Sequence, residues 1–350
     1  MKKRWMAVMM AAVLTVLTIG ALPAAASSQA DAVSAASSAA EAVQGEGTEI
    51  RLAGLKGATS MGMVRLLEEA DSGKTADSYS FTLAGSADEI TPKLVKGDLD
   101  IAAVPVNLGS VLYSKTQGAV EMLAVSTLGV LYIVENGAQD ITSWSDLRGR
   151  TILATGKGST PEYALRYLLT QNGLDPDQDV TMEWKDEPTE TVSAMAAAGG
   201  STVAMLPQPY VTAAKAKLPD LHVELDLTKS WDDLNNGSRF VTAGLLVRKA
   251  FADEHPDAVS RFLDAYADSA SYVNEHPAEA SKLIEKYGII KAAVAEKAIP
   301  DCHIVCITGT EMKAALSGYL KTLYDQNPRS VGGSLPGGDF YYDAGSDGTE

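Results

Sequence analysis

Cysteine is nearly absent: two thiols, Cys302 and Cys306, in 350 residues. A disulfide-built scaffold is therefore excluded, although an exported chain could still pair two thiols. If His303 to Ile307 runs as a strand, four residues at ~3.3 Å each put Cys302 and Cys306 ~13 Å apart. A bridge needs Cα atoms within ~7 Å, so one core cysteine in a strand and one in a loop is the simpler reading. The run Cys-His-x-x-Cys offers at most three metal ligands and has no second pair, so no metal is expected. Histidine is scarce as well, with four residues, and His255 and His276 each precede a proline. No G-x-S-x-G, H-E-x-x-H or complete G-x-x-x-x-G-K-[ST] occurs, so no catalytic residue and no cofactor is assigned. Basic charge is outnumbered: 29 Lys and Arg face 45 Asp and Glu, a formal net charge of −16. That balance argues against nucleic acid and anionic membrane surfaces as partners.

Only the amino terminus carries a long apolar run. Lys2, Lys3 and Arg4 precede an apolar core from Met6 to Leu22, and Ala24-Ala25-Ala26 offers an A-x-A cleavage site. Residues 1–26 thus read as a signal peptide, which directs the chain out of the cytoplasm. No cysteine lies near the cleavage site, so a lipoprotein anchor is not expected. Residues 27–47 are rich in Ala, Ser, Glu and Gly, without aromatics, and read as a flexible leader. Beyond them no stretch approaches the ~18 apolar residues of a spanning helix. The rest is long enough for two domains with real cores.

What is there centres on Thr151 to Leu169, TILATGKGSTPEYALRYLL. Thr151 to Ala154 is a short β-former run, Gly156 and Gly158 break it, and Ser159 or Thr160 can cap a helix that opens with Pro161. Leu165, Leu168 and Leu169 then recur at helical spacing. The segment LAGLKGATSMGMVRLL repeats it at an offset of 101 residues, with Lys56 on Lys157, Gly57 on Gly158, Thr59 on Thr160 and Arg65 on Arg166. The register extends through two alternating strand patterns to IAAVP and VAMLP, each closed by proline. A period this long is not a solenoid; it predicts two similar α/β lobes. Gly156 to Pro161 nearly matches the dinucleotide fingerprint, but Pro161 replaces the third glycine, which counts against that function.

Around the repeats, Glu121 to Val134 reads as one or two buried strands crossing between lobes, and Phe240 to Val247 as a strand crossing back. Trp231 begins a polar loop, WDDLNNGSRF. Pro256 and Pro277 start successive helices, and Glu311 to Tyr324 is a further amphipathic helix. The expected partition is 48–133 with 245–345 as lobe 1 and 137–242 as lobe 2. Gly137 and Gly244 mark expected hinges at 135–138 and 242–244.

A family resemblance follows from these segments. SWSDLRGRTILATGKGST resembles the "DLkGKkIa…GS" segment of ABC-importer solute-binding proteins for nitrate, sulfonates and thiamine-pyrimidine precursors (NMT1/THI5-like). VRKAFADEHPDAVSRFLDAYADSASYVNEHPAEASKLI resembles their C-terminal helical pair, and NPRSVGGSLPGGDFYY the tail of many Gram-positive members. The resemblance implies a type 2 periplasmic-binding-protein fold: two Rossmann-like α/β lobes joined by a two-strand hinge, with C-terminal helices. It implies capture of a small polar or anionic organic solute, or an aromatic heterocycle, between two closing lobes, a membrane permease with its ATPase as partner, and a monomer. A ligand-sensing ectodomain, or an enzyme on the same fold, would share these features.

In open α/β sheets, ligands bind beyond the C-terminal strand ends. The loops there hold Lys56, Gly57, Ala58, Thr59 and Ser60; Val106 and Asn107; Thr127; Gly158, Ser159 and Thr160; Gln208 and Tyr210. These are the expected ligand contacts, each hydroxyl or amide serving either a ligand or a local cap. Gly57 and Gly158 are expected to face each other across the cleft.

Overall fold

The structure is a computed structural model that describes residues 47–198 and 200–343. The expected signal peptide at 1–26 and nearly all of the expected leader at 27–47 lie outside the described residues. Eleven strands occur among the described residues, in chain order β1 (Glu49–Leu55), β2 (Ser78–Ala84), β3 (Ile101–Pro105), β4 (Val120–Leu128), β5 (Leu131–Asn136), β6 (Thr151–Thr155), β7 (Thr181–Lys185), β8 (Thr202–Pro207), β9 (Leu221–Asp226), β10 (Val241–Arg248) and β11 (Ile304–Ile307). They form two sheets, ordered β11-β4-β10-β3-β1-β2 and β7-β6-β8-β5-β9.

The sequence repeat is a structural repeat. β1, β2 and β3 correspond to β6, β7 and β8; in each set the first strand lies parallel between the other two. The parallel pairs need crossover connections, and helices supply them: Val64–Asp71 and Ala87–Lys96 in the first lobe, Thr160–Gln171 and Pro188–Ala197 in the second. β3 and β8 are buried along nearly their whole length, as expected of strands covered on both faces.

Each repeat receives one antiparallel strand whose chain has just left the other sheet. β5 follows β4 but pairs with β8, and β10 follows β9 but pairs with β3. Glu121 to Val134 is thus two strands, and the chain changes sheets at Gly129-Val130. This corrects two expectations. Residues 131–133 belong with the second sheet, because β5 is in register with β8 from Leu131↔Pro207 onward. Glu135 and Gly244 are not at the crossings. Glu135 is a buried member of β5. Gly244 is inside β10, where a Cβ would collide with Met122 Sδ at 2.6 Å. That glycine serves close strand packing rather than a hinge.

Trp231 departs from the expected loop. Asp226 accepts from the backbone N–H of Thr228 (2.7 Å) and Lys229 (3.2 Å), capping a helix over Leu227–Asp233. That helix buries Trp231 completely among Tyr167, Phe240 and Tyr319, with ring centroids 4.7–5.2 Å away. Tyr319 belongs to the C-terminal helix Gly309–Gln326, which therefore packs on elements of both sheets; one apolar cluster includes Val104, Met122, Ile152 and Met205. Trp144 and Trp231 are both buried packing residues; their indole N–H groups donate to Ser230 and Ser238. Pro256 and Pro277 open helices as expected. Cys302 is buried, Cys306 lies in β11, and both thiols are free.

Candidate functional site

A cavity of about 930 Å³ lies between the lobes. Its lining comes from the segments that follow the parallel strands of both repeats: Leu55–Thr59 after β1, Gly85–Glu89 after β2, Thr155–Ser159 at and after β6, Trp184–Pro188 at and after β7, and Pro207, Gln208 and Tyr210 after β8. Thr242 and Ala243 of β10 and Val130 of the crossing complete it. This volume suits a small organic solute, and the placement follows the general rule for open α/β sheets.

Local sequence explains each wall. Gly57 (φ 124) and Gly158 (φ 75) turn the chain out of β1 and β6 through backbone regions that favour glycine. The turns differ in what they meet. The nearest group to a Cβ on Gly57 would be the Tyr210 ring, at 3.4 Å, whereas one on Gly158 would meet nothing within 4 Å. Opposite Gly57 stands Tyr210 rather than Gly158. Burial, helped by the Glu187 charge, pushes the Tyr210 phenol up to about 12, so it stays neutral and able to donate. The Gly158 N–H already donates to Glu162 Oε2 at 2.7 Å, and Arg166 Nε binds the other oxygen of that carboxylate at 2.9 Å.

The loops after β2 and β7 approach each other across the opening. Glu89 Oε1 accepts from the N–H groups of Gly85 (2.9 Å) and Ser86 (3.0 Å), which fixes the first of these loops. From the second, Glu187 reaches the first lobe: Lys56 Nζ lies 3.5 Å from its Oε2. A Cβ on Gly85 would overlap the Glu187 carboxylate, so a larger residue there would displace that flexible side chain. At another edge of the cavity, Gln208 Nε2 of the second lobe donates to Asp301 of the first at 3.4 Å.

Of the sequence-derived candidates, the cavity wall gathers Lys56, Gly57, Ala58, Thr59, Gly158, Ser159, Gln208 and Tyr210. Ser60, Val106, Asn107, Thr127 and Thr160 are buried away from it. The Ser60 hydroxyl donates to the Leu55 carbonyl at 2.7 Å. Thr160 Oγ1 donates to Asn107 Oδ1 at 3.1 Å, and Asn107 Nδ2 donates to the Ser330 carbonyl at 2.9 Å. Thr127 lies within β4, paired opposite Ile304 and Ala243, and its hydroxyl is buried without a hydrogen-bond partner among the described residues. The side-chain polar groups of Ser60, Asn107 and Thr160 are thus engaged by the chain itself. Sequence reasoning passed over Gly85 to Glu89, Trp184 to Pro188 and Thr242. The repeat offset itself carries the signal for two of these: Gly85 maps onto Asp186, so applying the strand-end rule to the second strand of each repeat marks both loops.

Among the described residues no cluster of His, Cys, Asp or Glu is arranged to hold a metal, and no helix is long and apolar enough to cross a membrane.

Residues 117–280, from just before β4 to the helix Pro277–Lys286, match the family model described as NMT1/THI5 like. Solved structures share the fold. An ABC transporter protein from Parabacteroides distasonis is 23% identical, with a TM-score of 0.68 over 85% of this chain and 99% of that one. The aliphatic sulphonate binding protein SsuA of Escherichia coli is 16% identical, with a TM-score of 0.67 over 84% and 92%. The alkanesulfonate-binding protein SsuA of Xanthomonas axonopodis pv. citri, solved bound to MOPS, is 14% identical, with a TM-score of 0.66 over 84% and 96%. No curated protein sequence matches the chain. The architecture is that of the type 2 periplasmic binding proteins, two α/β lobes with C-terminal helices.

Proposed function

We propose that this protein is the extracytoplasmic solute-binding component of an ABC importer, exported by the signal peptide at 1–26, working as a monomer and delivering its solute to a membrane permease with an attached ATPase. The observation that carries this reading is the interlobe cavity, built twice over from equivalent strand-end loops and bridged by Lys56 and Glu187. Lys56, Gly57, Ala58, Thr59, Gly158, Ser159, Gln208 and Tyr210 form the ligand set, joined by Trp184 and Thr242. The moving bodies are the two sheets with their helices, turning about Gly129-Val130 and the segment before Val241. Binding, not catalysis, is the role of this cavity.

Two measurements test the reading together. Small solutes screened by thermal shift should include one that raises the melting temperature by mass action. Small-angle scattering should then show compaction with that solute, as hinge closure requires. A confirmed ligand without compaction would overturn the closing mechanism. A chain stabilised by no solute, and carrying no small molecule in native mass spectrometry, would overturn the binding role itself.

A further inference from the structure

The cavity's charges are arranged against the solute sign that its folds-alikes suggest. Five carboxylates line it and only three ammonium groups, with no arginine among them. Two of the three cationic donors are already engaged, as are three of the five carboxylates: Glu89 and Glu190 by backbone N–H groups and Glu187 by Lys56. Lys56 faces Glu187 at 3.5 Å, and Lys185 Nζ binds Glu183 at 2.6 Å. The backbone donor of the second glycine turn, Gly158 N–H, is filled by the chain's own Glu162 carboxylate. An oxyanion entering here would have to displace these carboxylates, and Lys157 is the one lining cation without such a partner among the described residues. On the acidic side, the Asp88 and Asp186 carboxylates stand exposed and unpaired at the loops after β2 and β7.

An independent observation lies on the β10 wall. Thr242 is nine-tenths buried and lines the cavity, and its Oγ1 has no hydrogen-bond partner among the described residues. A buried hydroxyl left unsatisfied is costly unless a ligand supplies the partner. That hydroxyl can donate as well as accept, so it calls for a polar group of the solute on the β10 wall, whatever the sign of the solute's charge. Tyr210 and Trp184 add aromatic surface on the second-lobe side, which attracts a cation through the ring quadrupole.

Resting on the solute-binding reading above, we propose that the solute is an organic cation, carrying a protonated amine or quaternary ammonium group, rather than a sulfonate, nitrate or other oxyanion. Its charged end is held between the Asp88 and Asp186 loops, and its apolar part lies against Tyr210 and Trp184. The Lys56–Glu187 contact then serves closure rather than ligand charge.

The test uses probe pairs of matched shape and opposite charge, titrated calorimetrically into the purified chain: phenyltrimethylammonium against benzenesulfonate, benzylammonium against benzoate, choline against methanesulfonate. The cation of a pair should bind at least about tenfold more tightly, with the preference shrinking as salt screens the carboxylates. The Asp88→Asn, Asp186→Asn double variant should lose roughly tenfold in cation affinity while keeping its melting temperature, because both side chains are exposed. Tighter binding of the anion in any pair, with compaction still seen, would overturn this inference and leave the solute-binding role standing. Binding of neither sign, with no small molecule retained in native mass spectrometry, would overturn that role and this inference with it.

Discussion

Lys56 and Glu187 meet across the mouth of the cleft, the ammonium of the first lobe 3.5 Å from a carboxylate oxygen of the second. Both side chains are about one-third exposed, so the pair is screened and contributes about 0–1 kcal/mol. Glu187→Gln is therefore expected to weaken solute binding by no more than about fivefold. The loss should appear in the dissociation rate, because the pair forms only when the lobes are together. Stopped-flow measurement of both rate constants checks this; an association rate that carries the whole effect would count against a closure role.

Gly85 gives a second lever on the same contact. A side chain there would overlap the Glu187 carboxylate, the free end of a flexible side chain. Gly85→Val should thus push that carboxylate off Lys56 and weaken binding by no more than about fivefold, as Glu187→Gln does, while hardly changing the melting temperature of the ligand-free chain. Combining the two substitutions should then add nothing further. Calorimetry on the single and double variants decides it, and losses that add would place the effect of Gly85→Val elsewhere.

Thr160 behaves differently, because its hydroxyl faces Asn107 and not the cavity. Thr160→Val leaves the buried Asn107 Oδ1 without that donor, a cost of ~1–3 kcal/mol. The melting temperature should fall by several degrees while solute affinity stays within about twofold. A large affinity loss at unchanged melting temperature would return Thr160 to the binding site.

The contrast between Gly57 and Thr160 shows which part of the molecule was legible in the sequence. The repeat identified both glycine turns, both lobes and the strand ends, since backbone geometry and hydrophobic period are local properties. It could not separate Thr59, on the cavity wall, from Thr160, sealed behind it. That difference arises from Asn107 and the Ser330 carbonyl, which stand far from Thr160 in sequence. The hinge was misplaced for a related reason. A glycine reads as freedom, but Gly244 is a glycine because Met122 and Ala124 crowd β10. Trp231 was put in a loop because the cap that makes its helix, Asp226, sits inside the preceding strand pattern.

Acid should unfold the first lobe through Asp100. Its side chain is 1% exposed and is bound by Arg51 Nε (2.8 Å), Arg51 Nη2 (2.6 Å), the Arg51 backbone N–H (3.0 Å) and Arg248 Nη2 (2.7 Å), joining β1, β3 and β10. Burial is the largest single influence on this carboxyl and pushes it up, but the hydrogen bonds from Arg51 and Arg248 together outweigh it and hold the group below its ordinary value. Asp77, bound by Arg261 and the Thr48 N–H, is held low in the same way. A depressed carboxylate takes up its proton less readily folded than unfolded. Its stabilisation is therefore fully present above the unfolded value of about 3.9 and is lost as pH falls through the lower folded value. Asp100→Asn should cost about 3 kcal/mol at pH 7, the lower end for breaking a buried pair because Arg51 is partly exposed. Below about pH 4 the gap between variant and parent should narrow as pH falls, as the parent alone loses this contribution. Urea melts across that range measure it, and a gap independent of pH would show that the ionised form of Asp100 contributes nothing to the fold.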